Sequence, residues 1–128
     1  MSTRDPSKLE MQVLSVLWER GPSTVRDLLD ALPDRKVRAY TTILTVMQVM
    51  EKKGLVSHTA QGNTHLYSAT VSRAKVARPF LRGMVRNLFG GSPATVMQHL
   101  LADSDVSREE LGEIKRLIEE HERQKPKS

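Results

Sequence analysis

The sequence contains no cysteine. A disulfide scaffold, a cysteine-ligated zinc site and a thiol nucleophile are therefore excluded. Aromatic residues are scarce, with one Trp, two Tyr and two Phe, so Leu, Val, Met and Ile must build the core. No apolar run approaches the length of about 18 residues that a membrane span needs, so no membrane insertion is expected. Met1 to Glu10 is polar and lacks the apolar centre of a signal peptide, which points to a cytoplasmic setting. Charge, by contrast, is plentiful. Among the 128 residues, Lys and Arg outnumber Asp and Glu by 20 to 15, a net charge of +5. That surplus permits an anionic partner without requiring one.

The first half reads helix, helix, helix, hairpin. Leu9, Val13, Leu14, Leu17 and Trp18 recur at helical spacing, with Asp5 as a candidate cap and Pro6 at the first helical position. Gly21-Pro22 stops this helix. Ser23 and Thr24 are candidate caps for a second one, bearing Val25, Leu28, Leu29 and Leu32, which Pro33 ends. A third helix is predicted from about Tyr40 to Lys53, with Ile43, Val46, Met47 and Met50 inward and Gly54 closing it. The period then switches to two. Leu55, Val56, His58 and Thr59 read as a strand, and His65, Leu66, Tyr67 and Ser68 as its return across Gly62-Asn63.

The second half is helical. Ser72 caps a helix with Val76, Phe80, Leu81, Met84, Val85 and Leu88, and Gly90-Gly91 ends it. Ser92-Pro93 starts another, with Val96, Met97, Leu100 and Leu101. Ser107 and Glu110 form a capping-box pattern for the last, with Leu111, Ile114, Leu117 and Ile118. The reading is mainly α with a small β-hairpin: a winged helix-turn-helix over residues 1–71, then a three-helix dimerisation domain with a polar tail over residues 72–128. A piece as small as the second rarely stabilises itself. It is expected to pack on a second copy, making a homodimer with Leu100, Leu101, Leu111, Ile114, Leu117 and Ile118 as the seam.

The third helix carries the functional signal. Ala39 to Met50 holds no charged residue. One face is core; the other bears Thr41, Thr42, Thr45 and Gln48. Short hydroxyls and an amide suit a helix pressed into a major groove, where they meet base edges. As mere surface they gain nothing, because Thr is a mediocre helix former. Cations flank the helix: Arg35, Lys36 and Arg38 before it, Lys52 and Lys53 after it, placed for phosphates on either side of a groove. Arg38, Tyr40, Thr41, Thr42, Thr45, Gln48, Lys52 and Asn63 at the wing tip are the candidate DNA-binding residues.

Other constellations are weaker. Arg73, Lys75, Arg78, Arg82 and Arg86 share a helix without an acid, and the last four form one stripe. Like charges at this spacing repel, so the stripe wants a partner, either DNA phosphate or the acids of another subunit. His58 and His65 sit on the two hairpin strands and lack a third metal ligand. His99 and His121 lie on helices and read as structural or solvated. No Ser–His–acid grouping, G-x-S-x-G or Gly-rich phosphate loop occurs. No catalytic residues, metal or cofactor are expected. The competing class is a winged helix used for protein–protein contact without sequence-specific DNA readout.

Ala39-Tyr40-Thr41-Thr42-Ile43-Leu44-Thr45-Val46-Met47-Gln48, followed by Glu51-Lys52-Lys53-Gly54-Leu55-Val56, resembles the recognition helix of the penicillinase-repressor family (BlaI/MecI/CopY). Leu17-Trp18-Glu19 with Gly21-Pro22, Thr24-Val25-Arg26-Asp27 and His65-Leu66-Tyr67-Ser68 add to the likeness, which spans about residues 7 to 120. The resemblance implies a bacterial transcriptional repressor that binds inverted-repeat operators in double-stranded DNA as a homodimer. It places Thr41, Thr42 and Thr45 at positions that meet DNA. It also implies inactivation through a membrane-bound sensor metalloprotease. The chain departs from the family pattern at Val49, where Arg is usual, and at the wing tip Gly62-Asn63, where Gly-Arg is common. It lacks the C-terminal cysteine cluster of the copper-responsive branch. The Asn-Phe cleavage pair of the antibiotic-resistance branch would fall near His99-Leu100, where the residues do not match.

Overall fold

The computed structural model describes residues 6–103 and 105–126. The elements run α1 (Lys8–Arg20), α2 (Val25–Ala31), α3 (Tyr40–Lys52), β1 (Val56–Gln61), β2 (Thr64–Ala69), α4 (Arg73–Leu88), α5 (Pro93–Asp103) and α6 (Arg108–Gln124). This is the mainly helical winged-helix order that the sequence pattern predicts.

Local chemistry sets the boundaries. α1 starts two residues later than a Pro6 start would give, because Ser7 is its cap. Glu10 N–H donates to Ser7 Oγ at 3.2 Å, and Ser7 N–H donates to Glu10 Oε1 at 2.8 Å. The two bonds satisfy donors that the first turn would otherwise orphan. The Asp5 cap expected from the sequence lies outside the described residues. Of the two caps considered for α2, Thr24 takes the role, in a box with Asp27. Ser23 instead is buried and bridges to the hairpin: Ser23 N–H donates to Tyr67 O at 2.9 Å and Tyr67 N–H to Ser23 O at 2.8 Å. At the head of α6 only the serine half of the expected box forms, with Glu110 N–H donating to Ser107 Oγ at 3.1 Å.

Strands β1 and β2 pair antiparallel from Val56 opposite Ala69 to Gln61 opposite Thr64. Gly62 has φ 60° and Asn63 does not share its positive φ, so glycine occupies the position that a side chain would strain.

The described residues divide into two compact units, one ending at Phe80 and the other starting at Leu81. The first has the core. Val13, Leu14 and Leu17 of α1 meet Val25 and Leu28 of α2, Ile43, Met47 and Met50 of α3, and Val56 and Tyr67 of the hairpin. Trp18 packs at its margin and donates its indole N–H to Val71 O at 2.9 Å. α4, α5 and α6 contain no buried residue. α4 runs continuously through Pro79, whose missing N–H leaves the Lys75 carbonyl without its helical donor.

One buried acid was not expected. Glu10 is 4% exposed and accepts from Lys53 Nζ at 2.8 and 3.1 Å. It therefore caps α1 and ties it to the end of α3. Glu10→Ala is expected to lower stability by about 2 kcal/mol, from a lost cap and a lost charged hydrogen bond. An unchanged urea midpoint would show that the pair is incidental.

Candidate nucleic-acid interface

Helix α3 presents two faces. Ile43, Met47 and Met50 are fully buried, which pins the helix to the core. Thr41, Thr42, Thr45, Gln48 and Val49 lie on the opposite side and are exposed. The 3.6-residue period brings Thr41, Thr45 and Gln48 onto one row. The Thr45 hydroxyl donates to Thr41 O at 2.9 Å, so its hydrogen is used within the helix while its lone pairs stay open. No side chain caps α3 at Ala39, so the first N–H groups of the helix are left without a side-chain acceptor. Tyr40 opens the helix, 45% exposed, with the Arg26 guanidinium 6.0 Å from its ring centre. That cation beside the helix start had no signal in local sequence, since Arg26 sits on α2.

The flanking cations are not equivalent. Arg35, Lys36 and Lys52 are exposed and form no ion pair among the described residues. Arg38 is held by Asp34, with Nη1 donating to Oδ1 at 2.9 Å and Nη2 to Oδ2 at 2.7 Å. Lys53 is committed to Glu10. Two of the five expected positive charges are thus neutralised within the fold. Asp34 also accepts from Lys36 N–H at 3.0 Å and from Gln12 Nε2 at 3.2 Å, so it organises the connection between α2 and α3. Arg35 completes that turn with φ 56°, a left-handed conformation that few non-glycine residues adopt.

The Arg38 guanidinium, and then the Lys36 N–H, hold the Asp34 carboxyl well below the usual carboxylate range. A depressed folded-state pKa means stabilisation that is present above the unfolded value, about pH 4, and is lost as pH falls through the folded one. Asp34→Asn is expected to lower stability at neutral pH and to flatten the acid side of the stability profile. Superimposable denaturation curves from pH 7 to 3 would refute this role.

On the wing, Asn63 is exposed at the turn. His58 and His65 do face each other, stacked with centroids 4.2 Å apart. His58 Nδ1 lies 2.7 Å from Glu51 Oε1, which ties the wing to the end of α3. No group of three or more His, Asp or Glu among the described residues is placed to hold a metal ion.

In the unit from Leu81 on, the seam residues lie outward. Leu100, Leu101, Leu111, Leu117 and Ile118 are exposed and Ile114 is half-buried. On α4, Lys75, Arg78, Arg82 and Arg86 make no ion pair among the described residues, whereas Arg73 pairs with Glu19 at 2.7 Å and lies over the Trp18 ring.

Three helices, an antiparallel wing and an uncharged exposed helix face between cations define a winged-helix protein. The sequence model of the penicillinase repressor family matches residues 6–120. The chain belongs to that family of transcriptional regulators. It is 32% identical to the transcriptional regulator BlaI of Mycobacterium tuberculosis, over 83% of this chain and 82% of the relative. It is 21% identical to the penicillinase repressor of Bacillus licheniformis, over 93% of each chain. The methicillin resistance regulatory protein MecI of Staphylococcus aureus is 16% identical, over 91% of this chain and 94% of MecI. No helix among the described residues is long and apolar enough to cross a membrane.

Proposed function

We propose that this chain is a cytoplasmic, non-catalytic repressor that binds an inverted-repeat DNA operator as a homodimer. The observation that carries the reading is the face of α3. Thr41, Thr42, Thr45 and Gln48 stand exposed without a charge among them, on a helix anchored to the core by fully buried Ile43, Met47 and Met50. Such a face discriminates base edges, while Arg35, Lys36 and Lys52 are free to meet phosphates. Tyr40 and Asn63 would add contacts at the helix start and the wing tip. Arg38 would contribute less phosphate attraction than an unpaired arginine, because Asp34 cancels its charge.

Residues 72–128 would supply the dimer. Leu100, Leu101, Leu111, Leu117 and Ile118 stay exposed in the single chain, which favours a second copy. The family supports release through a membrane-bound sensor metalloprotease, acting directly or indirectly. The Asn-Phe pair of the antibiotic-resistance branch is absent near His99-Leu100, so that branch's cut does not carry over by sequence.

The test is selection from random duplex DNA at about 150 mM salt, where non-specific phosphate binding is weak. An enriched palindrome supports the dimeric repressor, and its half-site spacing gives the separation of the two α3 helices. No enrichment, with only salt-sensitive retention, would reject base readout and leave the winged helix as a protein-interaction module.

A further inference from the structure

We propose that Val49 reads the 5-methyl group of thymine in the major groove, with the methyl of Thr45 reading a second. The inference rests on the operator-binding reading above. Val49 is 41% exposed. It stands one turn beyond Thr45 and next to Gln48, at the edge of the exposed face of α3, where it also lines a groove with Leu55, Val71, Val76 and Pro79. A valine there keeps much of its apolar surface in water. Its branched Cβ also makes it a poorer helix former than Ala or Leu. Helix propensity does not account for it, and the groove covers only part of the side chain.

Thr45 is the second observation. Its hydroxyl donates to Thr41 O at 2.9 Å. That bond uses the hydroxyl's only donor on the helix's own backbone and leaves the methyl, beside the oxygen's lone pairs, free for an outside contact. Thr45 and Val49 then place branched methyl carbons on one face, about 6 Å apart along the helix axis.

Among the four bases, thymine alone carries a methyl on its major-groove edge. Arginine at position 49 would read guanine through hydrogen bonds. Valine has neither donor nor acceptor, so its discrimination comes only from apolar contact. It prefers a methylated pyrimidine edge and tolerates 5-methylcytosine better than cytosine. This makes position 49 a determinant of operator sequence, distinct from the phosphate contacts that set general affinity.

The experiment uses the full chain and the operator recovered by selection. Each thymine is replaced singly by deoxyuridine, which removes the methyl and leaves the hydrogen-bonding edges intact. Affinity is expected to fall about fourfold at one position per half-site. Val49→Ala should abolish that sensitivity, and Val49→Thr, which keeps a methyl, should retain it. A second thymine should respond in the same way to Thr45→Ser. Deoxyuridine operators all bound within about twofold of the parent would overturn methyl readout while the repressor reading stood. Sensitivity that persists unchanged in Val49→Ala would remove Val49 as the reader. If selection enriches no operator, the repressor reading fails and this inference with it.

Discussion

Ile114→Glu is expected to make the protein monomeric and to remove tight operator binding. Ile114 lies at the centre of the α6 face formed by Leu111, Leu117 and Ile118, and it is half-buried already in the single chain. A two-fold interface uses the same patch on both copies, so the substitution places two carboxylates in one seam. Each would lose water without gaining a partner, at a cost of several kcal/mol. Dimerisation should weaken by at least about a hundredfold. Operator affinity should follow, because two linked half-sites bind some hundred- to ten-thousandfold better than one. Light scattering reads the mass, and a dimer persisting at micromolar concentration would refute the seam. Trp18 is the sole tryptophan and packs at the margin of the other unit's core, so its fluorescence reports whether the winged helix stays folded.

Thr45→Ala should weaken binding to the selected operator by about 1–3 kcal/mol and blur one base position. The change removes the hydroxyl and the methyl from the centre of the exposed row. It also replaces a poor helix former with the best one, so thermal stability should hold or rise slightly. Opposite signs for stability and operator binding separate a reading role from a structural one. Equal loss of affinity for the operator and for unrelated DNA would assign Thr45 to the backbone rather than to bases.

The element order was legible because its signals are local. Glycines, prolines and capping residues stand where the helices of the first half end and begin, and the period switch after Gly54 marks the wing. The buried face of α3 followed from spacing alone: Ile43, Met47 and Met50 are fully enclosed, and Val46, expected with them, is half-buried against the core. What escaped is what depends on distant partners. Ser7 and Glu10 carry a capping-box spacing that a reading centred on Asp5 and Pro6 passes over, and nothing local announces that Lys53 reaches back to Glu10. Ser23 looks like a cap beside Thr24 until Tyr67 pairs with its backbone. The Asp34–Arg38 pair has the spacing of a helical salt bridge but lies in a loop, where a rule for helix faces gives no warning. The exposed row on α3 was readable as a candidate, yet only the fold distinguishes free cations from those already neutralised.

The helices from Leu81 on, with no residue buried in a single chain, bear on how a promoter would respond to the abundance of this protein. If operator occupancy requires two chains to meet first, it varies with the square of chain concentration while dimers are scarce. Halving the supply then lowers occupancy about fourfold, by mass action. A helical segment that completes its core only in company would make the regulator a steep gauge of its own synthesis and decay. Modest changes in turnover would be enough to open the genes it covers.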